Sequence, residues 1–206
     1  NEYLGVTVES YIDQLLNRKI VGLTSGISAT IVKVLSSTNS ERGNLTLYIQ
    51  YESSGDINTD QTTFSDGENL AANIDIISGP ESSAFIPTGE SFATTISTNA
   101  TSTGAAFSIA DGVYFVRGNF VTVNAETIIL SQYSNTPTGR VGLRILEETI
   151  NSDEDANLTD NSKGFNNFAA PGADRLKISC SLSLKGSEDF NDNDFVELAS
   201  FRNGDV

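Results

Sequence analysis

Three residue types are missing from this 206-residue chain, which contains no histidine, no tryptophan and no methionine. Without histidine the chain has no Ser-His-Asp or Cys-His catalytic group, no imidazole metal ligand and no ordinary general base near neutral pH. Without tryptophan it also lacks an evident platform for stacking sugars, and a chance pair among 27 acidic residues is weak support for a glycosidase. The composition therefore predicts a protein that is not an enzyme.

Cysteine occurs once, at Cys180, so no intrachain disulfide and no thiolate zinc cluster can form. Apolar and polar residues alternate from Leu176 to Leu184, which is the period of a β-strand. Cys180 falls on the apolar side of this strand. We therefore predict a buried, structural thiol rather than a reactive one.

Basic residues are scarce: 12 stand against 27 acidic ones, and the net charge is −15. Such a charge repels phosphate backbones and anionic lipids, so we predict neither nucleic-acid binding nor membrane insertion. No apolar run approaches the 18 residues of a membrane span, and the first residues do not form a signal peptide. Because the chain begins at Asn1 and has no Met, we expect a fragment or processed product of a longer protein.

Residues 107–146 have the clearest β pattern in the chain. Asp111-Gly112 separates two apolar runs, and a two-residue Asp-Gly linker favours a type I′ hairpin turn, which requires positive φ at both positions. Arg117-Gly118-Asn119 predicts a second hairpin turn, of three residues. Further strands at 127–130 and 141–145 complete a predicted antiparallel meander.

Residues 6–19 carry a helical signal, because their apolar side chains follow i, i+3, i+4, i+7 spacing. Elsewhere, short strands and polar turns alternate in the manner of sandwiches and barrels. We predict a mainly β chain of antiparallel, sandwich-like or barrel-like domains with one short N-terminal helix. The predicted division is 1–19 as helix and lead-in, 20–77 as a small β domain, 78–103 as a Ser/Thr/Gly-rich connection and 104–206 as the meander domain.

Three groups of Asp and Asn have the alternating spacing of a calcium loop but lack the Glu that an EF-hand needs at its twelfth position. The groups are Asp153-Asp155-Asn157, Asp189-Asn191-Asn193 and Asp56-Asn58-Asp60. No Gly-rich phosphate loop precedes a Lys-Ser/Thr pair. We therefore predict no metal site and no cofactor, and we expect Arg117, Arg140, Arg144 and Arg175 to pair with carboxylates rather than with an anionic ligand.

Several segments together resemble a domain family of tailed bacteriophages, found in tail, baseplate and tail-fibre proteins of cyanophages and other marine phages. The segments are Gly104-Ala105-Ala106-Phe107 leading to 111–118, then 133–137, 140–143, and 167–178 with its Asn-Phe-Ala-Ala-Pro-Gly turn. Residues 21–34 also resemble the region that precedes them. Phe168 stands where the family usually has Tyr, and the family has no assigned molecular activity.

The resemblance implies a virion structural protein of the tail, baseplate or tail fibre that serves as an assembly and interaction scaffold. Its implied partners are other tail or baseplate proteins and further copies of itself, with a trimer as one candidate state. It implies location in the phage tail and, during assembly, in the host cytoplasm. The residues expected to shape turns or contact partners are Asp111, Gly112, Arg117, Gly118, Tyr133, Asn135, Pro137, Arg140, Phe168, Pro171, Gly172 and Arg175.

Two alternatives remain open at this point. One is a receptor-binding module that recognises a host-surface glycan or protein through the exposed loops 36–44, 53–62 and 151–167. The other is a hydrolase that works through a carboxylate pair. Within the meander, residues 131–140 are predicted to be the less constrained part and the better candidate for a partner contact.

Overall fold

The computed structural model describes residues 2–3, 6–53, 60–78 and 84–206, so Asp56 and Asn58 of the third calcium-type group lie outside it. The chain forms two compact units. Unit 1 comprises residues 1–104 and 132–134, and unit 2 comprises residues 105–131 and 135–206. Strands in both units pair antiparallel, which confirms the predicted mainly β fold.

Unit 1 is organised by a five-stranded sheet. Its strands in chain order are β1 (Glu2–Tyr3), β2 (Val6–Thr7), β3 (Lys19–Gly22), β4 (Ser28–Leu35), β5 (Thr46–Ser53), β6 (Asn69–Ala72), β7 (Ile76–Ser78), β8 (Ala84–Ile86) and β9 (Ser91–Thr94). The sheet has the order β5-β4-β3-β6-β9, while β1 pairs with β2 and β7 pairs with β8. The predicted connection 78–103 therefore contributes two strands, β8 and β9, to unit 1.

The helix predicted for residues 6–19 is wrong. The structure has two 3₁₀ turns instead, Val8–Ser10 and Ile12–Leu15, and no α-helix occurs in the described residues. A 3₁₀ turn repeats every three residues, so the buried pairs at 8/11 and 12/15 can face the core while Leu16 is exposed. The Tyr11 hydroxyl donates a 2.6 Å hydrogen bond to the Phe92 carbonyl, which fastens this segment to β9.

Unit 2 consists of two strand pairs and a three-stranded sheet. Its strands are β10 (Ala105–Ile109), β11 (Gly112–Val116), β12 (Asn119–Val123), β13 (Glu126–Ser131), β14 (Gly139–Ile150), β15 (Arg175–Lys185) and β16 (Phe195–Phe201). β10 pairs with β13, β11 pairs with β12, and the sheet has the order β15-β14-β16. The strand predicted around Cys180 is confirmed.

The predicted meander and its Asp111-Gly112 hairpin are wrong. β10 pairs with β13, so the β11–β12 hairpin is inserted between two partner strands rather than continuing from β10. Gly112 belongs to β11 and lies opposite Val123, and neither Asp111 nor Gly112 has positive φ. The dipeptide therefore marks a change from one strand pair to another. A local turn preference was overruled by the pairing of β10 with a distant strand.

The second predicted hairpin is confirmed, with a shorter turn than expected. Val116 lies opposite Asn119, which leaves Arg117 and Gly118 as the two loop residues. Their φ values are +48° and +83°, which match the two positive values of a type I′ turn. Arg117-Gly118, and not Asp111-Gly112, is therefore the tight hairpin turn of this region.

The core of unit 2 lies between its sheet and its two strand pairs. Val141 and Leu143 of β14 are fully buried with Leu182 of β15, against apolar side chains of β10 and β13. The inner face of the β11–β12 hairpin places Val116 and Val121 against Ile145. The two-layer packing is that of a small β-sandwich.

Candidate functional site

The sheet of unit 2 narrows at one end into a two-stranded ribbon, which we call the arm (residues 146–150 and 175–179). β16 pairs with β14 only as far as Arg144, whereas β15 pairs with β14 as far as Ile150. The arm carries the 24 residues of loop 151–174 at its end. Ordered connections of this length are uncommon in compact domains and are often functional, so the loop is a candidate site.

Loop 151–174 is held by backbone hydrogen bonds between residues 158–160 and residues 169–172. The Asp160 N–H donates to the Ala170 carbonyl at 2.9 Å, and the Ala169 N–H donates to the Asp160 carbonyl at 2.8 Å. The Gly172 N–H donates to the Leu158 carbonyl at 2.8 Å. A Cβ at Gly172 would overlap that carbonyl oxygen, so this close approach requires glycine.

The Asp160 side chain organises the middle of the loop. Its carboxylate accepts a 2.8 Å hydrogen bond from the Ser162 N–H and another from the side-chain amide of Asn167. Hydrogen bonds from Ser162, through its side chain and its backbone, and from Asn167 lower the pKa of Asp160 below its ordinary value. Asp160 is therefore an ionised, oriented acceptor at neutral pH.

A groove of about 460 Å³ lies along the folded loop. Its lining residues are Asn157, Leu158, Thr159, Asp160, Asn167, Ala170, Pro171, Gly172, Ala173 and Arg175. Three predicted site residues, Pro171, Gly172 and Arg175, are thus brought together here. Phe168, the fourth, is 50% exposed beside them in sequence, and Phe165 is 72% exposed.

Two of the other predicted residues, Arg117 and Arg140, fasten the acidic loop 186–194. Arg117 pairs with Glu147 at 2.8 Å and with Asp194, and it also donates to the Asn193 carbonyl. These hydrogen bonds, first that to Glu147, raise the pKa of Arg117. The prediction that this arginine pairs with carboxylates is confirmed.

Arg140 is held at the other end of the same loop. It forms an ion pair with Glu197, donates to the Asp189 carbonyl, and lies 4.3 Å from the centre of the Phe190 ring. Lys185, directly opposite it on β15, pairs with Asp192 and Asp189. Arg117, Arg140 and Lys185 all bind groups of the acidic loop 186–194, so they do not form a site for an anionic ligand.

The connection 131–140 is more constrained than predicted. Its Tyr133 belongs to unit 1, where the Arg42 guanidinium lies 4.2 Å from the ring centre. The buried Tyr48 hydroxyl has no hydrogen-bond partner among the described residues, and burial, with Tyr133 and Glu41, raises its pKa to about 12.

The later residues of the connection belong to unit 2. The Pro137 carbonyl accepts a 2.9 Å hydrogen bond from the Gly204 N–H. The Asn135 carbonyl approaches the same glycine so closely that a Cβ there would lie 3.0 Å from it. Asn135 and Pro137 are therefore packing contacts to the C-terminal turn.

Sequence patterns missed an exposed apolar surface on the β11–β12 hairpin. Val113, Phe115 and Phe120 are 65%, 67% and 79% exposed on its outer side. Phe115 lies directly opposite Phe120, with ring centres 5.3 Å apart. Strict alternation within 112–116 and 119–123 was the available signal, but both sides of the hairpin carry apolar residues and periodicity alone does not say which one is buried.

Sequence patterns also missed Glu68, a carboxylate that is only 2% exposed in unit 1. It accepts hydrogen bonds from the N–H groups of Thr24, Ser25 and Ser65 and from the Ser25 hydroxyl. Burial raises the pKa of Glu68, but these hydrogen bonds outweigh burial and leave the pKa below its ordinary value. Glu68 is thus a buried anion that fixes the turn after β3.

Chemistry by metal or thiol gains no support from the geometry. Within residues 2–3, 6–53, 60–78 and 84–206 no three His, Cys, Asp or Glu side chains are grouped to hold a metal ion. Asp155 caps a 3₁₀ turn at Ala156–Leu158, and Asp189 pairs with Lys185. Cys180 is half-buried, and burial raises the pKa of its thiol, which disfavours the reactive thiolate.

Fold and site together place the chain among mainly β proteins with an exposed loop-bearing arm. Residues 88–206 match the family described as "Domain of unknown function (DUF4815)", and since this is more than half of the chain, the chain belongs to that family. The matched region contains all of unit 2, including the arm and its groove. No curated protein and no solved structure matches the chain. No helix that the structure describes is long and apolar enough to cross a membrane.

Proposed function

We propose that this chain is a non-catalytic structural protein of a tailed-bacteriophage virion, a component of the tail, baseplate or tail fibre that serves as an assembly and interaction scaffold. The resemblance of its second half to proteins of that class supports the proposal. Its place of action is then the virion, and the host cytoplasm while the particle is assembled. Its partners are other tail or baseplate proteins and further copies of the chain.

The observation that carries the scaffold function is the outer side of the β11–β12 hairpin. Val113, Phe115 and Phe120 expose apolar area on a chain of net charge −15, where polar residues would serve solubility better. Withdrawing an aromatic side chain from water contributes about 2 kcal/mol, so a second copy that covers this face gains from each ring. The type I′ turn and the contacts to Ile145 hold the face in a fixed shape before association.

Light scattering coupled to size-exclusion chromatography tests this function over a range of protein concentrations. The expected result is an oligomer whose mass falls in the Phe115→Ser/Phe120→Ser variant. Phe85→Ser, which alters an exposed aromatic of unit 1, is the matched control and is expected to leave the mass unchanged. A wild-type monomer at every concentration contradicts self-association through this face.

Placement in the virion has its own test. Antibodies raised against the purified chain are expected to label the tail or baseplate of intact particles in electron micrographs. Genes for tail and baseplate components are expected beside its own. Particles without label, together with a metabolic gene neighbourhood, contradict the proposal.

A second candidate function is recognition of a host-surface receptor, and the arm is the observation that favours it. A rigid ribbon that presents a long ordered loop is suited to contact with another surface. The test is binding of the purified chain to host cells, compared with a variant in which residues 151–174 are replaced by a two-residue Asn-Gly turn. Equal binding by both proteins contradicts recognition through the loop.

A further inference from the structure

We propose that the groove of loop 151–174 binds a neutral carbohydrate. This inference rests on the second candidate function, receptor recognition through that loop, and names the chemical class of the ligand. The groove's volume of about 460 Å³ lies within the roughly 300–1,000 Å³ that is usual for small-molecule sites. Its lining carries hydrogen-bonding side chains from residues 157–160 and from Asn167 and Arg175, so a ligand there contacts several groups at once.

The hydrogen-bonding capacity left in the groove belongs mostly to acceptors. The Asp160 carboxylate uses one oxygen for Ser162 and the other for Asn167, which leaves further lone pairs on both oxygens. Asn157 donates its amide N–H to Asp155, and its amide oxygen remains an acceptor. A ligand that satisfies such a groove has to donate hydrogen bonds, as the hydroxyl groups of a sugar do.

The charge around the groove disfavours an anionic ligand. Asp160 lies in the groove, and Asp153, Glu154, Asp155 and Asp174 lie in the same loop. Arg175 is the one cationic side chain of the lining, and the prediction that it pairs with a carboxylate is wrong, since it forms no ion pair with the described residues. Lys163 lies in the loop outside the lining, so two cations stand against five carboxylates, and the net charge of −3 repels acidic sugars. The Arg175 guanidinium is then a hydrogen-bond donor for a ring or hydroxyl oxygen.

A bare divalent cation also fits the groove poorly. Calcium takes six to eight oxygen ligands, several of them carboxylates, whereas the lining contains one carboxylate, that of Asp160. Leu158, Ala170 and Pro171 of the lining provide apolar surface, which suits the C–H faces of a sugar and not an ion. The lining places hydrogen-bonding and apolar groups side by side, as a sugar does with its hydroxyl groups and its C–H faces.

The test uses the full chain on an array of neutral oligosaccharides, built from hexose and N-acetylhexosamine units, and acidic oligosaccharides that carry uronate or sialate. The best neutral compound is then titrated by calorimetry with and without EDTA. We expect neutral compounds to bind, acidic ones not to bind, and EDTA to have no effect. An array on which no neutral compound binds, or on which only acidic ones bind, overturns the inference.

Three variants connect the binding to the groove. Asp160→Asn removes the charged acceptor and is expected to weaken affinity at least tenfold. Leu158→Ala shortens an apolar side chain of the lining and keeps the backbone carbonyl that bonds Gly172, and we expect a similar loss. Asp153→Asn makes the same charge change in the same loop outside the groove lining, so its affinity is expected to equal that of the unaltered chain.

The outcomes separate this inference from the function on which it rests. If replacement of 151–174 abolishes binding to host cells while no neutral compound binds on the array, the receptor function stands and the carbohydrate inference fails. If a neutral compound binds but Asp160→Asn and Leu158→Ala leave its affinity unchanged, the groove is not the site. Circular dichroism spectra identical to that of the unaltered chain are required of every variant before its affinity is compared.

Discussion

Two carboxylates, Glu68 in unit 1 and Asp160 in unit 2, are held by the same kind of hydrogen bond in opposite surroundings. Each accepts at least one hydrogen bond from a backbone N–H three residues away or nearer, and each has a lowered pKa. Glu68 is buried with four hydrogen bonds directed at its two oxygens, whereas Asp160 faces an open groove and keeps lone pairs free. Glu68 is therefore an acid that serves folding, and Asp160 is one that is available to a ligand.

Burial decides between the two roles because unsatisfied polar groups are costly only where water cannot reach them. Around Glu68 the N–H groups of Thr24, Ser25 and Ser65 bond the carboxylate in buried or part-buried positions, so its removal takes away their partner. Around Asp160 water can replace the carboxylate at once. The largest effects on unfolding are therefore expected in unit 1, and the largest effects on binding in loop 151–174.

The Glu68→Gln variant is expected to give the largest loss of stability. Glutamine keeps one acceptor oxygen, but its NH₂ group would face the Ser65 N–H, which now bonds the second oxygen, while the Ser25 hydroxyl can rotate to accept from it. The unpaired Ser65 donor and the loss of a charged acceptor together cost about 2–3 kcal/mol in the free energy of unfolding. Urea unfolding followed by tyrosine fluorescence measures it, because all of the tyrosines except Tyr114 belong to unit 1.

The matched control is Glu52→Gln, which alters an exposed glutamate of the same unit that pairs with Lys19 at 3.2 Å. Exposed ion pairs contribute little, so its unfolding curve is expected to overlay that of the unaltered chain. If the Glu68 variant and its control have the same free energy of unfolding, Glu68 does not stabilise the fold, and the two carboxylates do not differ in role.

Gly22→Ala is expected to have the next largest effect, because it disturbs the surroundings of Glu68. A Cβ at residue 22 would lie 2.5 Å from the Glu68 carboxyl group and 2.6 Å from the Ser25 hydroxyl. The network has to shift to admit it, at a cost of about 1–3 kcal/mol. Urea unfolding measures the loss.

Gly112→Ala is the control for that change, since a Cβ there meets only an ordinary contact with Tyr114 at 3.6 Å. A fully stable Gly22→Ala chain would show that the space around Glu68 can adapt, and that the close approach of β3 is not required for the network.

A smaller effect is expected as the pH falls, when the fold loses the stability that ionised Glu68 contributes. Its pKa is below the ordinary value of 4.5, so between that value and the lower folded one the unfolded chain binds more protons than the folded chain. Stability due to Glu68 is therefore fully present above pH 4.5 and is lost as the pH falls through the folded pKa. The difference in unfolding free energy between the unaltered chain and Glu68→Gln, measured from pH 7 to pH 3, should narrow at acid pH. A constant difference over that range contradicts the pKa direction.

Local patterns predicted much of this fold and little of the contrast between the carboxylates. The alternation around Cys180 predicted β15 because Ile178, Cys180 and Leu182 on one side of that strand meet the core. The Asp111-Gly112 turn failed because pairing of β10 with β13 depends on residues about 20 positions away, to which a dipeptide pattern is blind. Glu68 follows Asp66-Gly67, a signal of an exposed turn, and its burial depends on donors more than 40 residues away.

The candidate site was predicted in part for a similar reason. Pro171 and Gly172 marked a turn in the sequence, and the structure does use glycine there for a close approach to Leu158. Asp160 gave no comparable signal, because its partners lie among many Asn, Asp and Ser residues that would have looked the same in a solvated loop. The arm exists because β14 and β15 continue beyond the last residue that pairs with β16. How far each strand pairs depends on the folded sheet, and a sequence pattern does not give it.

Asp160→Asn is expected to have the smallest effect on the free energy of unfolding. Asparagine can still accept the hydrogen bond from the Ser162 N–H, and water can satisfy the Asn167 amide in the open groove. Because unit 2 contains one tyrosine, its unfolding is best followed by circular dichroism, where the midpoint should match that of the unaltered chain. Asp155→Ala is the contrasting change in the same loop, since it removes the side chain that caps the 3₁₀ turn at Ala156–Leu158. If Asp160→Asn lowers the unfolding midpoint more than Asp155→Ala does, Asp160 stabilises the fold as Glu68 does. The two carboxylates would then not differ in role.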